Sequence, residues 1–572
     1  MARYDKQPVV VVPEGAGAAW RGWDEVLRQF NHARANRLVI DCYPGVDCAE
    51  IRNALTKANP ALTLIDPAEA LKPSAILDQM LARFLTEDRV FGYMAPFTLD
   101  EFFDEAELAT LKARVTGATA PIAVVGVGAA LVSQGDCLVV ADMPRWEIQL
   151  RYRAGLANWT ADNPKEDFLR KYKRAFFIEW RAADRHKLPL LEKADFFLDT
   201  TARGDPKLVA GDAMRAALEA VTRRPFRVVP FFDPGVWGGQ WMRERFELPA
   251  DKPNYAWGFD CVPEENSLLL AFGHVTVEVP SINVVLRHPK PLLGEKVHAR
   301  FGAEFPIRFD FLDTMKGGNL SLQVHPITDY ARQNFGIAYT QDESYYILAA
   351  EADAAVFLGL RNGIAPDSFF GAIEDAQKGG AHLDTERFVN RLRAARHDHF
   401  SIPAGTVHCA GRNCVVLEIS ATPYIFTFKL WDWGRLGLDG RPRPVHLDHG
   451  RQVLQGDRDT DWVERTTLNL VQPVAEGDGW REERTGLHEL EFIETRRHWF
   501  TKPVTHETLG SVHVVNLVQG ETAVIESPDA AFAPVPISFA ETVILPASLG
   551  SYRVAPGAWG VEHATIRASV RV

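Results

Sequence analysis

"SLQVHPITDYARQNFGIAYTQDESYYIL", residues 321–348, decides how the chain is read. Its first strand-like run is apolar at Leu322 and Val324 and polar at Gln323 and His325. Side chains two apart on a strand share a face, so Gln323 and His325 point one way and the aliphatic pair the other. Glu343 then stands at the head of a second apolar run, "SYYIL". In "SIPAGTVHCAG", residues 401–411, a Pro–Gly turn leads into a short strand bearing His408. Two imidazoles, one carboxylate and one amide oxygen form a donor set for a zinc-like divalent ion. With no thiolate in the set, such a site is catalytic in character rather than structural. Taken without their context, these residues read better as ordinary polar residues near turns.

Working outward, the chain of 572 residues exceeds a single ordinary core and implies two to four domains. Hydrophobic residues make up 46% and charged residues 24%, the balance of a folded soluble protein. A net charge of -12 argues against non-specific nucleic-acid binding, which needs a basic surface. An anionic substrate must then be held by local cations. The six cysteines follow no CxxC spacing and fit a reducing, cytoplasmic compartment. The first apolar run, "VVVV", is too short for a signal peptide, and no stretch approaches a membrane span.

Residues 1–225 alternate short Val/Ile/Phe-rich segments with amphipathic ones. "PVVVVPEG", "RLVIDCYPG", "PIAVVGVG", "DCLVVADMP", "RAFFIEW", "DFFLDTT" and "FRVVPFF" read as buried strands. The expectation is an α/β domain, a mostly parallel sheet with helices on both sides. Beyond residue 226 the runs shorten and turns multiply; "HVTVEVPSINVVLRH", "LSLQVHP", "SYYILAAE" and "CVVLEIS" read as antiparallel strands. One helical insertion is expected at about 366–397. Two β-barrel or jelly-roll domains follow, over 226–470 and 471–572.

The order of motifs from residue 226 onward resembles the type I mannose-6-phosphate isomerases, also called phosphomannose isomerases. These motifs are "WGG" at 237–239, "PLLGEKVHARFGAEFPIRFDFLDTMKGGNLSLQVHP", "SIPAGTVHCAG" followed by "VVLEIS", and "FTFKLWDWGRLGLDGRPRPVHL". The resemblance implies a pair of cupin-type barrels with a small helical insertion, and a metal-dependent interconversion of mannose 6-phosphate and fructose 6-phosphate through an enediol. It implies Gln323, His325, Glu343 and His408 as ligands of one divalent ion, zinc first, with manganese, cobalt or iron(II) as alternatives. Lys316 matches the family's active-site lysine, Arg435 its catalytic arginine, Glu418 an acidic pocket residue and weak candidate base, and Ser321 the serine before the QxH pair. The family usually carries a lysine two residues before the glutamate ligand; here that position is Gln341, which leaves the exact sugar open or passes the role to Lys316, Arg435 or Lys429.

Other residues have blander readings. Lys316 suits a solvated turn, and Arg435 a surface pair with Asp432. Trp237 suits packing, His446 a structural role, and His397 and His399 the surface. Cys409 and Cys414 read as buried apolar thiols. The first domain faintly resembles nucleoside-kinase-like P-loop proteins through "FFIEWRAADRHKLPLLEKADFFLDTT", yet no GxxxxGK[ST] occurs, and "VVGVGAALVSQG" has no lysine for a phosphate. Arg174, Arg181, Arg185 and Lys187 are candidates for an anion site there, with a solvated basic face as the alternative. Three functions compete with the isomerase. These are a non-catalytic phosphosugar sensor, a cupin isomerase of a related sugar, and an iron oxygenase using two histidines and one carboxylate.

Overall fold

The computed structural model describes residues 3–571 except Glu14, Arg34, Ala381, 423–425, Pro442 and Leu487. It falls into two compact units. The first comprises Pro8–Val221 and Glu264–His288, and the second comprises the remaining segments, Thr222–Pro263 and Pro289 onward with the N-terminal residues up to Gln7.

In the first unit a seven-stranded sheet runs in the order Ala19–Arg21, Lys207–Ala210, Phe196–Asp199, Cys137–Asp142, Arg37–Cys42, Ile122–Gly126, Thr63–Ile65. The five strands from Phe196–Asp199 to Thr63–Ile65 are parallel, and the two at the other edge antiparallel. Strands buried on both faces need continuous apolar runs, and "RLVIDC" and "CLVVAD" supply them. The helix after the strand Arg37–Cys42, Cys48–Ala58, is capped by Asp47, whose side chain accepts from the Glu50 amide at 3.1 Å. A phosphate-binding fold presents bare N–H groups at such a helix start. Here the chain's own carboxylate occupies that place.

Three segments differ from the sequence reading, the first being "FRVVPFF", in which the only strand is Phe231–Asp233, part of the second unit. "RAFFIEW" is not a strand: Ala175–Glu179 is a turn of π-helix between the helices Phe168–Arg174 and Trp180–Lys193. It is buried throughout, and a continuous apolar run does not separate a buried strand from a buried helix. The strand read at 274–288 ends at Pro280, and Ile282–Arg287 is helical. Moreover, this segment belongs to the first unit, which is therefore not contiguous in sequence. Its strand Ser267–Phe272 pairs in parallel with Val9–Val11, and Asn283 Nδ2 donates to Asp142 Oδ2 at 2.9 Å. The basic residues considered for an anion site are committed inside this unit. Lys187 Nζ lies 2.9 Å from Asp142 Oδ2, Arg174 donates to Thr160, Arg181 to the Phe176 carbonyl, and Arg185 to the Ala95 and Phe97 carbonyls.

The second unit is antiparallel. One six-stranded sheet takes the order His399–Ile402, Glu343–Ala350, Cys414–Ala421, Ile307–Asp313, Trp257–Cys261, Phe231–Asp233. A five-stranded sheet takes the order Val389–Arg393, Ala355–Leu360, His408–Ala410, Leu322–Val324, Phe428–Trp431. A second pair, of six and four strands, lies within Gln472–Val570. The helical insertion is shorter than expected: the helix Pro366–Gln377 and the short helix Thr385–Phe388 give way to the strand Val389–Arg393. Among the described residues no helix is long and apolar enough to cross a membrane.

Candidate metal centre and adjoining cavity

Three neighbouring strands of the five-stranded sheet set the register. Gln323 lies opposite His408, and His408 opposite Leu358. Glu343 opens a strand of the other sheet, opposite Ser420 and Ile402. The "IPAG" turn is tied to the QxH strand because the Gly405 amide donates to the His325 carbonyl at 2.9 Å. Gly405 sits at φ +91°, a conformation that glycine adopts without steric cost.

His325, Glu343 and His408 converge, with candidate ligand atoms all within 4.8 Å of one another. His325 Nε2 is 3.0 Å from Glu343 Oε2, and His408 Nε2 is 2.8 Å from Glu343 Oε1. Gln323 Nε2 is 3.2 Å from His408 Nε2, and turning that amide over presents its oxygen instead. All four are buried; His408 is 0% and Glu343 2% exposed.

These residues fit a divalent ion on three counts. His325 Nδ1 lies 3.0 Å from the Phe426 carbonyl and His408 Nδ1 2.9 Å from the Thr406 carbonyl. A carbonyl only accepts, so each Nδ1 carries the proton and each Nε2 offers a lone pair to the centre. Glu343 Oε1, though 2.8 Å from His408 Nε2, has no hydrogen-bond partner among the described residues, as expected of two ligand atoms aimed at a common third point. Gln341 Nε2 donates to Glu343 Oε2 at 3.0 Å, so the residue standing where a lysine was expected steadies the carboxylate ligand.

Beside this group lies a cavity of about 210 Å³, lined by Gln323, Gln341, Ser321, Glu418 and Lys429 among others. Its floor holds a buried ionic cluster. Arg308 Nη2 donates to Glu418 Oε1 at 2.7 Å and Arg308 Nε to Asp310 Oδ1 at 3.0 Å. Asp310 and Glu418 are direct cross-strand partners. Burial, only partly opposed by Arg308, raises Asp310 to about 6. Burial, with Asp310 and Glu343 nearby, holds Glu418 well above the usual range.

Of the residues singled out from sequence, Gln323, His325, Glu343 and His408 come together, and Glu418, Ser321 and Lys429 line the adjoining cavity. Lys316 and Arg435 do not line it. Lys316 sits at φ +59° with its side chain 62% exposed and its Nζ 3.2 Å from Glu244 Oε1. Arg435 is held 2.6 Å from Asp432 Oδ1 and donates to the Asn319 carbonyl at 2.7 Å. The cations on the wall are Arg308, Lys429 and Arg443. Trp237 is both packing and wall: it is 1% exposed, meets Trp257 edge-on at 4.8 Å and lines the cavity. His399, read as a surface residue, is buried at 1% exposure, while His397 is half-buried. His446 braces the Lys429 strand through its backbone amide, which donates to the Lys429 carbonyl at 2.8 Å. Arg308, Asp310 and Arg443 went unrecognised in the sequence. For the first two the signal was present, since "IRFDF" alternates as "LQV" does, but its aromatic residues suggested core on both faces.

The fold and this donor set define a class, an antiparallel β-sheet protein with a buried two-histidine, one-carboxylate, one-amide centre suited to a divalent ion. The comparisons find similarity to proteins named as mannose-6-phosphate isomerases. The chain is similar to mannose-6-phosphate isomerase ManA of Bacillus subtilis, 24% identical over 241 residues, covering 41% of this chain and 69% of the relative. It is also similar to the mannose-6-phosphate isomerase of Streptococcus mutans, 24% identical over 221 residues, covering 38% and 64%. The solved mannose 6-phosphate isomerase of B. subtilis overlaps 60% of this chain and 99% of its own, at 18% identity and a TM-score of 0.49. Phosphomannose isomerase of Salmonella typhimurium overlaps 60% and 99%, at 13% identity and 0.45. Residues 22–223 match a domain family described only as a domain of unknown function, DUF8485.

Proposed function

We propose that this chain is a divalent-metal-dependent aldose–ketose isomerase that interconverts mannose 6-phosphate and fructose 6-phosphate in the cytoplasm, with Gln323, His325, Glu343 and His408 holding the ion, zinc first among the candidates. The observation that carries the reading is the convergence of the His325, Glu343 and His408 ligand atoms inside a buried centre that adjoins an acid-lined cavity. The relatives named as mannose-6-phosphate isomerases support the reaction class.

Isomerisation moves one proton between C1 and C2 and shifts oxidation level between the same two carbons. A divalent ion at this centre would supply Lewis-acid polarisation of the substrate oxygens. The chain's own residues do the rest. Glu418, in ionised form, takes the proton from one carbon and returns it to the other, while the hydroxyl proton passes between O2 and O1 of the enediol. Asp310 and Glu418 share Arg308, so one can carry a proton while the other is charged. Lys429 and Arg443 place positive charge on the cavity wall for the phosphate. Trp237 and Leu320 keep one side of the cavity apolar.

One observation favours a related sugar as a second reading. Gln341 replaces a lysine, and the wall cations Arg308 and Arg443 are themselves ion-paired. The test is to assay mannose 6-phosphate and unphosphorylated mannose side by side. Turnover of the phosphate ester should vanish with chelator and return with zinc, manganese or cobalt. Turnover of neither sugar by metal-loaded protein would overturn the reading, and turnover of mannose alone would favour the second.

A further inference from the structure

The second pair of sheets in the larger unit encloses an interior that changes character along its length. One part is apolar, packed by Phe500, Leu517, Val543 and Val554. On the strand Ile493–Phe500 the residues sharing the Phe500 face are His498, Arg496 and Glu494, two apart each time. The His498 ring stacks on Phe500 at 5.3 Å, which fixes that face as the inner one.

Across the neighbouring strands Arg496 lies opposite both Arg484 and Arg567. Like charges directly opposite one another destabilise a sheet, so this row needs anions. Glu482 and Glu494 answer it in part. Arg567 Nη2 donates to Glu482 Oε1 at 2.9 Å, Arg496 Nη1 is 3.5 Å from the same oxygen, and Arg496 also pairs with Glu494. Three guanidiniums against two carboxylates leave one positive charge over.

The imidazoles beside this row add a second sign. His498 is 2% exposed, and neither ring nitrogen has a hydrogen-bond partner among the described residues. The His506 ring stands 4.4 Å from it, and Arg567 Nη1 lies 3.4 Å from His506 Nδ1. A buried polar group left without a partner destabilises the fold that buries it. An unpartnered N–H donor and a surplus guanidinium in one place are complementary to the same thing.

We propose that this polar end of the second sandwich binds a small oxyanion, as free phosphate or as the phosphate head of a phosphorylated sugar. Arg496 and Arg567 supply the fork geometry that matches phosphate oxygens, and His498 the neutral donor. None of these residues belongs to the candidate metal centre, so this is a second site.

Calorimetric titration of the full-length, metal-loaded chain tests it, with inorganic phosphate, mannose 6-phosphate and mannose as probes. Inorganic phosphate should bind saturably, and Arg567→Gln should weaken that binding about tenfold or more. Should Arg567→Gln fail to fold, Arg484→Gln, whose side chain is 35% exposed at the rim, removes the same surplus charge. A mannose 6-phosphate binding event that disappears together with the phosphate event identifies the ester as occupant. One that survives the substitution identifies the free ion. Absence of saturable phosphate binding in the unaltered chain, or equal binding in the folded variants, would overturn the proposal.

Discussion

At the scale of single residues, the weight falls on Glu418 and its partners. Its carboxyl lies in a cavity wall, hydrogen-bonded to Arg308 and facing Asp310 across the strand pair. As the proposed base it would work ionised, yet burial and its acidic neighbours hold it protonated over a range where an ordinary carboxyl has already ionised. The sign follows: the rate of isomerisation should rise with pH, on a limb displaced above the range where an ordinary carboxyl ionises. Replacing Glu418 by Gln should lower kcat by about 10²–10⁴. A limb at about 4, where free carboxyls titrate, or a Glu418→Gln variant of full rate, would remove Glu418 from the chemistry. The two-residue spacing of Gln323 and His325 placed them on one face, but it was the ordered motifs around them that marked them as ligands. Arg308 and Asp310 carry the same spacing, hidden among phenylalanines. Lys316 shows the opposite limit: a lysine in a turn can be named from sequence, but whether its side chain meets a cavity or solvent is set by the tertiary fold, and here it is 62% exposed.

At the scale of elements, the "WGG" motif has a steric explanation. A Cβ on Gly239 would fall 2.1 Å from Asp313 Oδ1 and 2.6 Å from the Met315 backbone. One on Gly238 would fall 2.1 Å from Asn254 Oδ1. These glycines let the 237–239 segment press against the turn that feeds the QxH strand, and the Asp313 carboxylate accepts from the Met242 and Met315 amides at 2.8 and 2.9 Å. Gly239→Ala should therefore destabilise the chain by about 1–3 kcal/mol, the usual cost of overpacking a tight site, seen as a lowered denaturation midpoint in urea. An unchanged midpoint would mean that the close approach is not needed. Strand alternation made the antiparallel elements around the site readable. The π-helical "AFFIE" was not readable, because burial on every side erases the period that distinguishes helix from strand.

At the scale of the whole molecule, the notable departure is the excursion Glu264–His288, which interrupts the second unit to complete the first. Nothing local in the sequence marks it, since the parallel partner of Ser267–Phe272 is Val9–Val11, near the other end of that unit's run of sequence. A chain begun near residue 226 would leave Ser267–Phe272 without its parallel partner and Asn283 without Asp142. In the N-terminal unit Asp47 caps the helix Cys48–Ala58, and Lys187 and Arg174 are paired within the unit. The alternation of strands and helices in that unit was visible in composition; the strand order was not, because it depends on which buried faces meet.

The decisive experiment is the metal content of the purified full-length chain, taken beside its turnover of mannose 6-phosphate, for the unaltered protein and for His325→Ala. With the His325, Glu343 and His408 donors converging on one point, about one divalent ion per chain should accompany activity, and both should be lost in the variant. Full metal occupancy in His325→Ala, or undiminished turnover by unaltered protein stripped of metal, would refute the assignment of these residues as ligands of a catalytic ion.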